Sequence, residues 1–414
     1  MTDSRDVVVV GGGIIGIAVA SALADRGRDV TIVDRTGICE ETSSGNAAAL
    51  AFSDILPLAQ KGMIAQVPRW LADPLGPLSI SPAYLPHLMP WLWKFWRAGR
   101  PANYQASVRA QAAMMQLAER EWMALMERTD TRPLLRDDGC LELYESEAEW
   151  RASLAGWEER QRFGIGFRHV RGPELAELQR GLSGRFVIGT FVPGWKTVAN
   201  PQRLGKAIWR HAESGGAQLL EGEVKNLGLE SGQPHLRLAD GRTIRAATLV
   251  IAAGAWSHRL ARHLGDRIPL ETERGYNTTL PVGAFELKRQ LVFSRHGFVV
   301  TPLEDGIRVG GAVEFAGLER APNYARSKAM LEKAQRFMPG LNGSGGREWM
   351  GYRPSLPDTL PVIGASPGAP NVLYAFGHGH LGLTQSAATG RLIADLVSGQ
   401  APAIDLSPFR PDRF

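Results

Sequence analysis

Near its C-terminus the chain reads FGHGHLGLT, residues 376–384, with His378 and His380 one residue apart between glycines. Two imidazoles at that spacing could ligate a metal, act as a base pair, or serve a loop with another task. H-x-H alone lacks a third ligand, and no His/Asp/Glu cluster accompanies it, so no metal centre is expected. A second chemical spacing stands at the other end. Gly11, Gly13 and Gly16 in VVVVGGGIIG fit G-x-G-x-x-G, and Asp34 closes DVTIVD. Gly11 permits a tight turn, Gly13 lets the backbone approach a pyrophosphate, and Gly16 lets a helix pack close to a strand. A helix N-terminus then offers free N–H groups and a positive dipole to the phosphates. Asp34 can accept hydrogen bonds from a ribose. That chemistry is dinucleotide binding.

The elements around these glycines are the ones the chemistry needs. DVVVV, residues 6–10, is an uninterrupted β-branched run and reads as a buried parallel strand. IIGIAVASALADRG follows with small and apolar residues at helical spacing and ends at Gly27, a C-cap. A second strand leads to Asp34. Strand, glycines, helix, strand and acid in this order is a strong signature, where a lone G-x-G-x-x-G is weak. An acid at Asp34 argues against a 2′-phosphate but does not separate NAD from FAD.

Later stretches make that distinction. EETSSGNAAAL, residues 40–50, offers Ser43, Ser44, Gly45, Asn46 and Ala47, small residues that can lie against a flat ring. LEGEVKNLGLE and HLRLADGRTIRA alternate like exposed strands, with Asp240-Gly241 as a hairpin turn. They lead into ATLVIAAGAW, a buried strand ending in small residues where a ligand or chain approaches closely. A meander returning to a parallel strand is the form of an FAD-binding half.

Composition excludes several classes. The 414 residues are 44% hydrophobic and 21% charged, which suits a globular enzyme of two domains. Net charge is +5, from 47 basic and 42 acidic residues, without the dense Lys/Arg tract of a nucleic-acid binder. The only cysteines, Cys39 and Cys140, lie far apart and outside any CxxC, so neither zinc nor disulfides are expected and a reduced, cytoplasmic setting fits. No stretch reaches the roughly 20 apolar residues that span a bilayer. PHLMPWLWKFWRAGR, residues 86–100, crowds three tryptophans beside Lys94, Arg97 and Arg100. It reads as a core or interface helix, with peripheral membrane contact as the alternative.

VVVVGGGIIG, ETSSGNAAAL, TLVIAAGAWS, WMGYRPSLPDTLPVIG and FGHGHLGLT together resemble the D-amino acid oxidase-like superfamily of flavoproteins, nearly end to end. Within it the chain looks most like the bacterial D-amino acid dehydrogenases. The resemblance implies an α/β fold, in which an FAD-binding Rossmann-like domain of the glutathione reductase type is interleaved with an α+β substrate domain built on an antiparallel sheet. The implied pieces are residues 1–55, 195–266 and 346–414 for FAD, and 56–194 and 267–345 for substrate. Implied FAD contacts begin with the glycine loop, including Ile14 and Ile15, and with Asp34 and Arg35. They continue through residues 43–47, then Val224, Ala252, Gly254 and Trp256. The last contacts are Gly377, His378, Gly379, His380, Leu381, Gly382, Leu383 and Thr384. That final loop would present N–H groups to the flavin ring, with His378 supporting its geometry.

In the superfamily G-x-R-P carries an arginine that grips the substrate carboxylate, which is Arg353 here. A planar guanidinium suits that task as a bidentate clamp. Tyr276 is a candidate to share the carboxylate, His380 a candidate to face the substrate, and His296 a weaker one. AQAAMMQLAEREWMALMERT is expected as a core helix, and QLVFSR, GFVVTP and GIRVGGAVEF as strands of the sheet that roofs the flavin, with a hairpin at Asp305-Gly306. The implied reaction moves hydride from Cα of a small D-amino acid to non-covalent FAD, leaving an imine that water hydrolyses. D-proline and cis-4-hydroxy-D-proline are the cyclic candidates. Glycine or sarcosine oxidation, or a non-catalytic subunit of an amine-oxidising complex, are the alternatives. The electrons would pass to a quinone or carrier, or to oxygen.

Overall fold

Valines 7 to 10 are all buried, and they alternate between two cores. Val7 and Val9 face one hydrophobic cluster and Val8 and Val10 the other. A strand covered on both faces has no polar side, which is why its sequence does not alternate. In the computed structural model, which describes residues 3–60 and 76–414, this strand, Asp3–Val10, is central to an eight-stranded sheet. Val30–Asp34 lies parallel on one side, followed by Gln218–Glu221. Thr243–Ile251 lies parallel on the other.

The meander forms as the sequence predicts. Val224–Glu230, Gln233–Leu238 and Thr243–Ile251 are antiparallel neighbours, and Gly241, at φ +89°, makes the second turn. Ala369–Phe376 adds a further parallel strand beside Thr243–Ile251. The helices Ile14–Ala24 and Gly382–Val397 pack on one another. Their approach needs small residues, since a Cβ on Gly390 would stand 2.5 Å from the Ala18 carbonyl.

A second sheet of nine strands lies over the first. Its path runs from Arg347–Ser355 through Glu271–Leu280, Gly306–Phe315, Phe298–Leu303 and Gln290–Phe293 to Cys140–Tyr144, Ile188–Val192 and Arg168–Arg171. The predicted strands and the hairpin at Gly306 are present, mostly in antiparallel pairing. Arg347–Ser355, expected in the FAD piece that starts at residue 346, pairs instead with Glu271–Leu280 in this second sheet. That pairing carries Arg353 over the cavity. A small sheet of Ala49–Leu50, Lys196–Val198 and Leu135–Arg136 joins the two bodies.

The long helix Pro101–Arg128 buries Met114, Met115, Trp122 and Met126 as core, as its spacing predicts. Trp122 also donates its indole N–H to the carbonyls of Leu383 and Thr384, at 3.1 and 2.9 Å, and so pins the start of the C-terminal helix. The tryptophan-rich segment forms the helix Leu85–Ala98, with Leu88 and Trp91 buried. Its outer stripe is Leu85, Met89, Trp93 and Trp96, which are 40, 54, 56 and 42% exposed. Among the described residues no helix is long and apolar enough to cross a membrane.

Candidate active site

A cavity of about 960 Å³ runs between the sheets, from the glycine loop to the strand that carries Arg353. It is at the large end of ligand pockets, which span about 300–1,000 Å³. At its first end the chain turns at Gly11, with φ +115°. A Cβ there would stand 2.4 Å from the Ala252 carbonyl, and one on Gly16 would collide with the Gly11 carbonyl at 1.9 Å. Gly16 packs beneath the loop and is not part of the wall. Gly13 has no side chain to cap the helix that starts at Ile14. Ser43 Oγ accepts from the Ile14 N–H at 3.0 Å. The other first-turn N–H groups have no partner within the helix.

Asp34 braces this loop. Its Oδ2 accepts from the Gly12 N–H at 2.7 Å, and Oδ1 accepts from the Thr36 and Gly37 N–H groups at 2.8 and 3.0 Å. A carboxylate has about four acceptor positions, so Oδ2 retains one toward the cavity. Arg35 pairs with Glu41 at 2.6 Å and lies 4.1 Å over the Trp256 ring. Val224, Ala252, Gly254 and Trp256 line the same end.

Residues 43–47 form the middle of the wall, but two of their side chains serve the loop itself. Ser44 donates to the Glu41 carbonyl at 2.7 Å and does not line the cavity. Asn46 donates to the Ser43 carbonyl and accepts from the Ala48 N–H. Three successive carbonyls of the loop are held by the roof. Asn277 donates to that of Gly45 at 2.8 Å, Arg308 to that of Asn46 at 2.6 Å, and Thr301 to that of Ala47 at 3.1 Å. Burial pulls the Arg308 guanidinium down to about 10, so it stays charged at neutral pH. These three residues were absent from the sequence expectation. Their only signal was the alternation in ETERGYNTTL, GFVVTP and GIRVGG, which does not say which alternate faces in.

Arg353 lies opposite Glu273 across the strand pair. Its Nη1 donates to the Ala312 carbonyl at 2.9 Å and Nη2 lies 3.4 Å from that of Gly311. The side chain lies over Gly275, where a Cβ would stand 2.4 Å from Nη2. Burial lowers its pKa, and the charge of Glu273 opposes that shift. Among the described residues no carboxylate comes within salt-bridge distance of this guanidinium, so it carries no structural ion pair.

Tyr276 corrects an expectation. It sits on the alternate face from Gly275, buried, with its hydroxyl bonded to Glu314 at 2.5 Å and accepting from the Asn323 N–H at 3.1 Å. That hydroxyl is engaged by the roof in this structure rather than paired with Arg353. His296 bonds to Glu145 and packs on Phe337, away from the cavity.

The C-terminal loop closes the second end. Gly377, at φ +86°, packs on Leu356 rather than on the cavity, because a Cβ there would stand 2.3 Å from Leu356 Cδ1. Gly379 donates to the Pro354 carbonyl at 2.8 Å, which ties this loop to the residue beside Arg353. His378 is buried and bonds to Thr389 at 2.9 Å. Burial pushes its pKa down to about 3, so it is neutral and structural. His380 lies at the cavity with Nε2 3.2 Å from Asp54 Oδ2. Leu381, Gly382 and Leu383 line the wall, and Thr384 Oγ1 accepts from the Ala51 N–H and donates to the Ala49 carbonyl. Among the described residues no group of three or more His, Cys, Asp or Glu could hold a metal ion.

The cavity therefore has backbone donors without a helical partner at one end, a wall of small residues along its length, and at the other end a guanidinium bonded only to backbone carbonyls. Comparison with known proteins agrees with that chemistry. A family model described as FAD dependent oxidoreductase matches residues 6–396. A D-amino-acid oxidase from Bradyrhizobium diazoefficiens is 33% identical over 100% of both chains. A D-amino acid dehydrogenase from Paramagnetospirillum magneticum is 31% identical, over 99% of this chain and 98% of its own. Among solved structures, glycine oxidase from Geobacillus kaustophilus covers 100% of both chains with a TM-score of 0.77 at 25% identity.

Proposed function

The chain belongs to the FAD-dependent oxidoreductase family, and from that premise we propose that it oxidises a small D-amino acid at Cα. The products would be an imine, which water hydrolyses to a keto acid and ammonia. The observation that carries this reading is Arg353, a guanidinium in the cavity wall with only backbone carbonyls as partners. A buried cation without an anion is costly, and a substrate carboxylate supplies the missing charge in a bidentate geometry that fixes orientation.

The residues present fit FAD, and its bound flavin would supply the hydride acceptor. The N–H groups after Gly13 would hold the pyrophosphate. The remaining acceptor position on Asp34 would meet a ribose hydroxyl. Residues 43–47 and 379–384 would lie along the flavin, the first group held in place by Asn277, Arg308 and Thr301. Arg353 acts by positioning, since a clamped carboxylate aims Cα.

The test is anaerobic. The yellow holoprotein is mixed with D- and L-amino acids, D-proline, cis-4-hydroxy-D-proline, glycine and sarcosine, and the visible flavin band is followed. Bleaching by D-forms is expected. Bleaching by glycine or sarcosine alone would move the chain to the glycine or sarcosine oxidation reading, and no bleaching at all would favour a non-catalytic subunit. Reoxidation by oxygen against a soluble quinone then identifies the acceptor, for which a quinone or carrier is proposed.

A second reading concerns location. The exposed Leu85, Met89, Trp93 and Trp96 fall on one stripe of the helix, and Lys94, Arg97 and Arg100 flank it. No acidic residue occurs between Asp73 and Glu119. An apolar stripe with basic neighbours suits the interface of an anionic bilayer. Co-sedimentation with anionic but not zwitterionic vesicles, lost in Trp93→Ser/Trp96→Ser, is the expected result. Equal recovery of both proteins with both vesicle types would reject it.

A further inference from the structure

Asp54 and His380 are far apart in sequence and meet in the cavity wall, with Oδ2 3.2 Å from Nε2. Behind the carboxylate stands Arg160, whose Nη2 lies 3.7 Å from Oδ1. Arg160 is itself fixed, donating to the Ser53 carbonyl at 3.0 Å and lying 4.7 Å over the Trp157 ring. Burial pushes the Asp54 carboxyl up, but the hydrogen bond from His380 and the charges of His380 and Arg160 outweigh it, and its pKa is lowered. An ionised Asp54 can only accept, so it selects the tautomer with hydrogen on Nε2 and leaves Nδ1 as a lone pair. His380 follows Gly379, which is bonded to the residue next to Arg353. Arg353 and His380 therefore border the same cavity, on segments tied to one another.

A free amino acid carries an ammonium at neutral pH. Hydride cannot leave Cα to form C=N until the nitrogen has a lone pair to donate. We propose that His380 accepts the proton of the substrate ammonium, and that Asp54 positions it to do so. The N–H bond breaks, its electron pair stays on nitrogen, and a new N–H bond forms at Nδ1. Loss of hydride from Cα then draws that pair into the C=N bond. This proposal rests on the amino acid reading above. His380 is the catalytic group, while Asp54 acts through it.

The charged and titratable groups coupled to the pair are Arg160, Glu142 and the buried Cys140, with Tyr104 beside Arg160. Glu142 is raised by burial and receives a hydrogen bond from Ser294 at 2.7 Å, and burial also raises Tyr104. Glu142 changes charge at acid pH and Tyr104 only at alkaline pH, so the measurement compares variants across the whole range.

The test uses the holoenzyme and two readouts. The first is the anaerobic rate of flavin bleaching against pH, in wild type, His380→Gln and Asp54→Asn. General-base action contributes about 10²–10⁴-fold, so His380→Gln should lose at least about 10²-fold at pH 7. That loss should shrink steadily as the pH approaches the pKa of the substrate amine. Asp54→Asn should lose rate in the same direction as His380→Gln but by less, because Asp54 acts through His380. The second readout is the ¹⁵N histidine spectrum, in which the resonance missing from His380→Gln identifies His380. In Asp54→Asn its nitrogens should lose the Nε2–H tautomer pattern, independently of turnover.

A pH profile in His380→Gln that runs parallel to wild type overturns the proposal, because a packing role lowers all points alike. An unchanged His380 tautomer pattern in Asp54→Asn removes the positioning role. A wild type that no amino acid bleaches overturns the functional reading and this proposal with it. A wild type that bleaches normally beside parallel variant profiles overturns this proposal alone.

Discussion

Gly275 is the seat of the Arg353 side chain, and filling it is a sharp test of the clamp. Its φ lies outside the left-handed region, so alanine is accommodated by the backbone. The new Cβ would stand 2.4 Å from Nη2, 2.5 Å from Cζ and 2.9 Å from Nε, where ordinary contact begins at 3.4 Å. The guanidinium must lift by about 1 Å, and a displacement of that size costs on the order of 10²-fold in rate. A factor of about 10² is about 2.7 kcal/mol of lost transition-state stabilisation. The lift also stretches the 2.9 Å bond to the Ala312 carbonyl. Overpacking should cost about 1–3 kcal/mol in stability, so the melting temperature is followed in parallel.

The assay is stopped-flow anaerobic bleaching of Gly275→Ala, with the limiting rate and half-saturating substrate read separately. Arg353→Ala sets the limit, and Gly351→Ala, whose Cβ would meet Trp349 instead, is the control for overpacking. The expected result is a fall of about 10²-fold in bleaching efficiency in Gly275→Ala, with the flavin spectrum of the resting protein unchanged. Efficiency within twofold of wild type, in a protein where Arg353→Ala is severely impaired, would refute the claim that this glycine seats the guanidinium.

Three further outcomes follow from the geometry. Asn277→Ala removes one of the three donors that hold the loop at residues 45–47. A lost hydrogen bond of about 1–1.5 kcal/mol should weaken FAD binding about tenfold, measured by flavin fluorescence on titrating the apoprotein. His378 is neutral in the fold, with a pKa near 3, and binds a proton readily once unfolded. Its contribution to stability is complete above the unfolded value of about 6.5 and is lost as pH falls toward 3. By pH 5 that amounts to about 2 kcal/mol, so His378→Gln should flatten the fall in urea midpoint between pH 6.5 and 5. Finally, burial pushes the Cys39 thiol up to about 12 and Cys140 in the same direction, and neither lines the cavity. Both should resist a thiol reagent at pH 8 until the chain unfolds, and acid precipitation should release all of the flavin into the supernatant.

Local pattern determined much of this protein. The run VVVVGGGIIG sets strand, turn and helix because each step is a matter of neighbouring residues: β-branched chains, a positive φ at Gly11, and apolar spacing. The meander around Asp240-Gly241 and the core helix with Met114 and Trp122 were legible for the same reason. The motifs around Arg353 and His380 marked where the second end of the cavity would lie. Tertiary structure decided the rest. A strand tells which residues share a face but not which face looks inward, and one step of register exchanges them. Hence the expectation fell on Tyr276, yet it is its neighbour Asn277 that faces the loop. Pairing partners far apart in sequence were equally hidden. The strand Arg347–Ser355 joined the roof because Glu271–Leu280 offered it an edge, and that pairing placed Arg353 above Gly275. Asp54 lay in an unremarked loop and acquired a role only where the fold set it against His380. Chemistry that one residue and its neighbours can carry is written along the chain. Chemistry that needs two distant segments to meet is written in the packing.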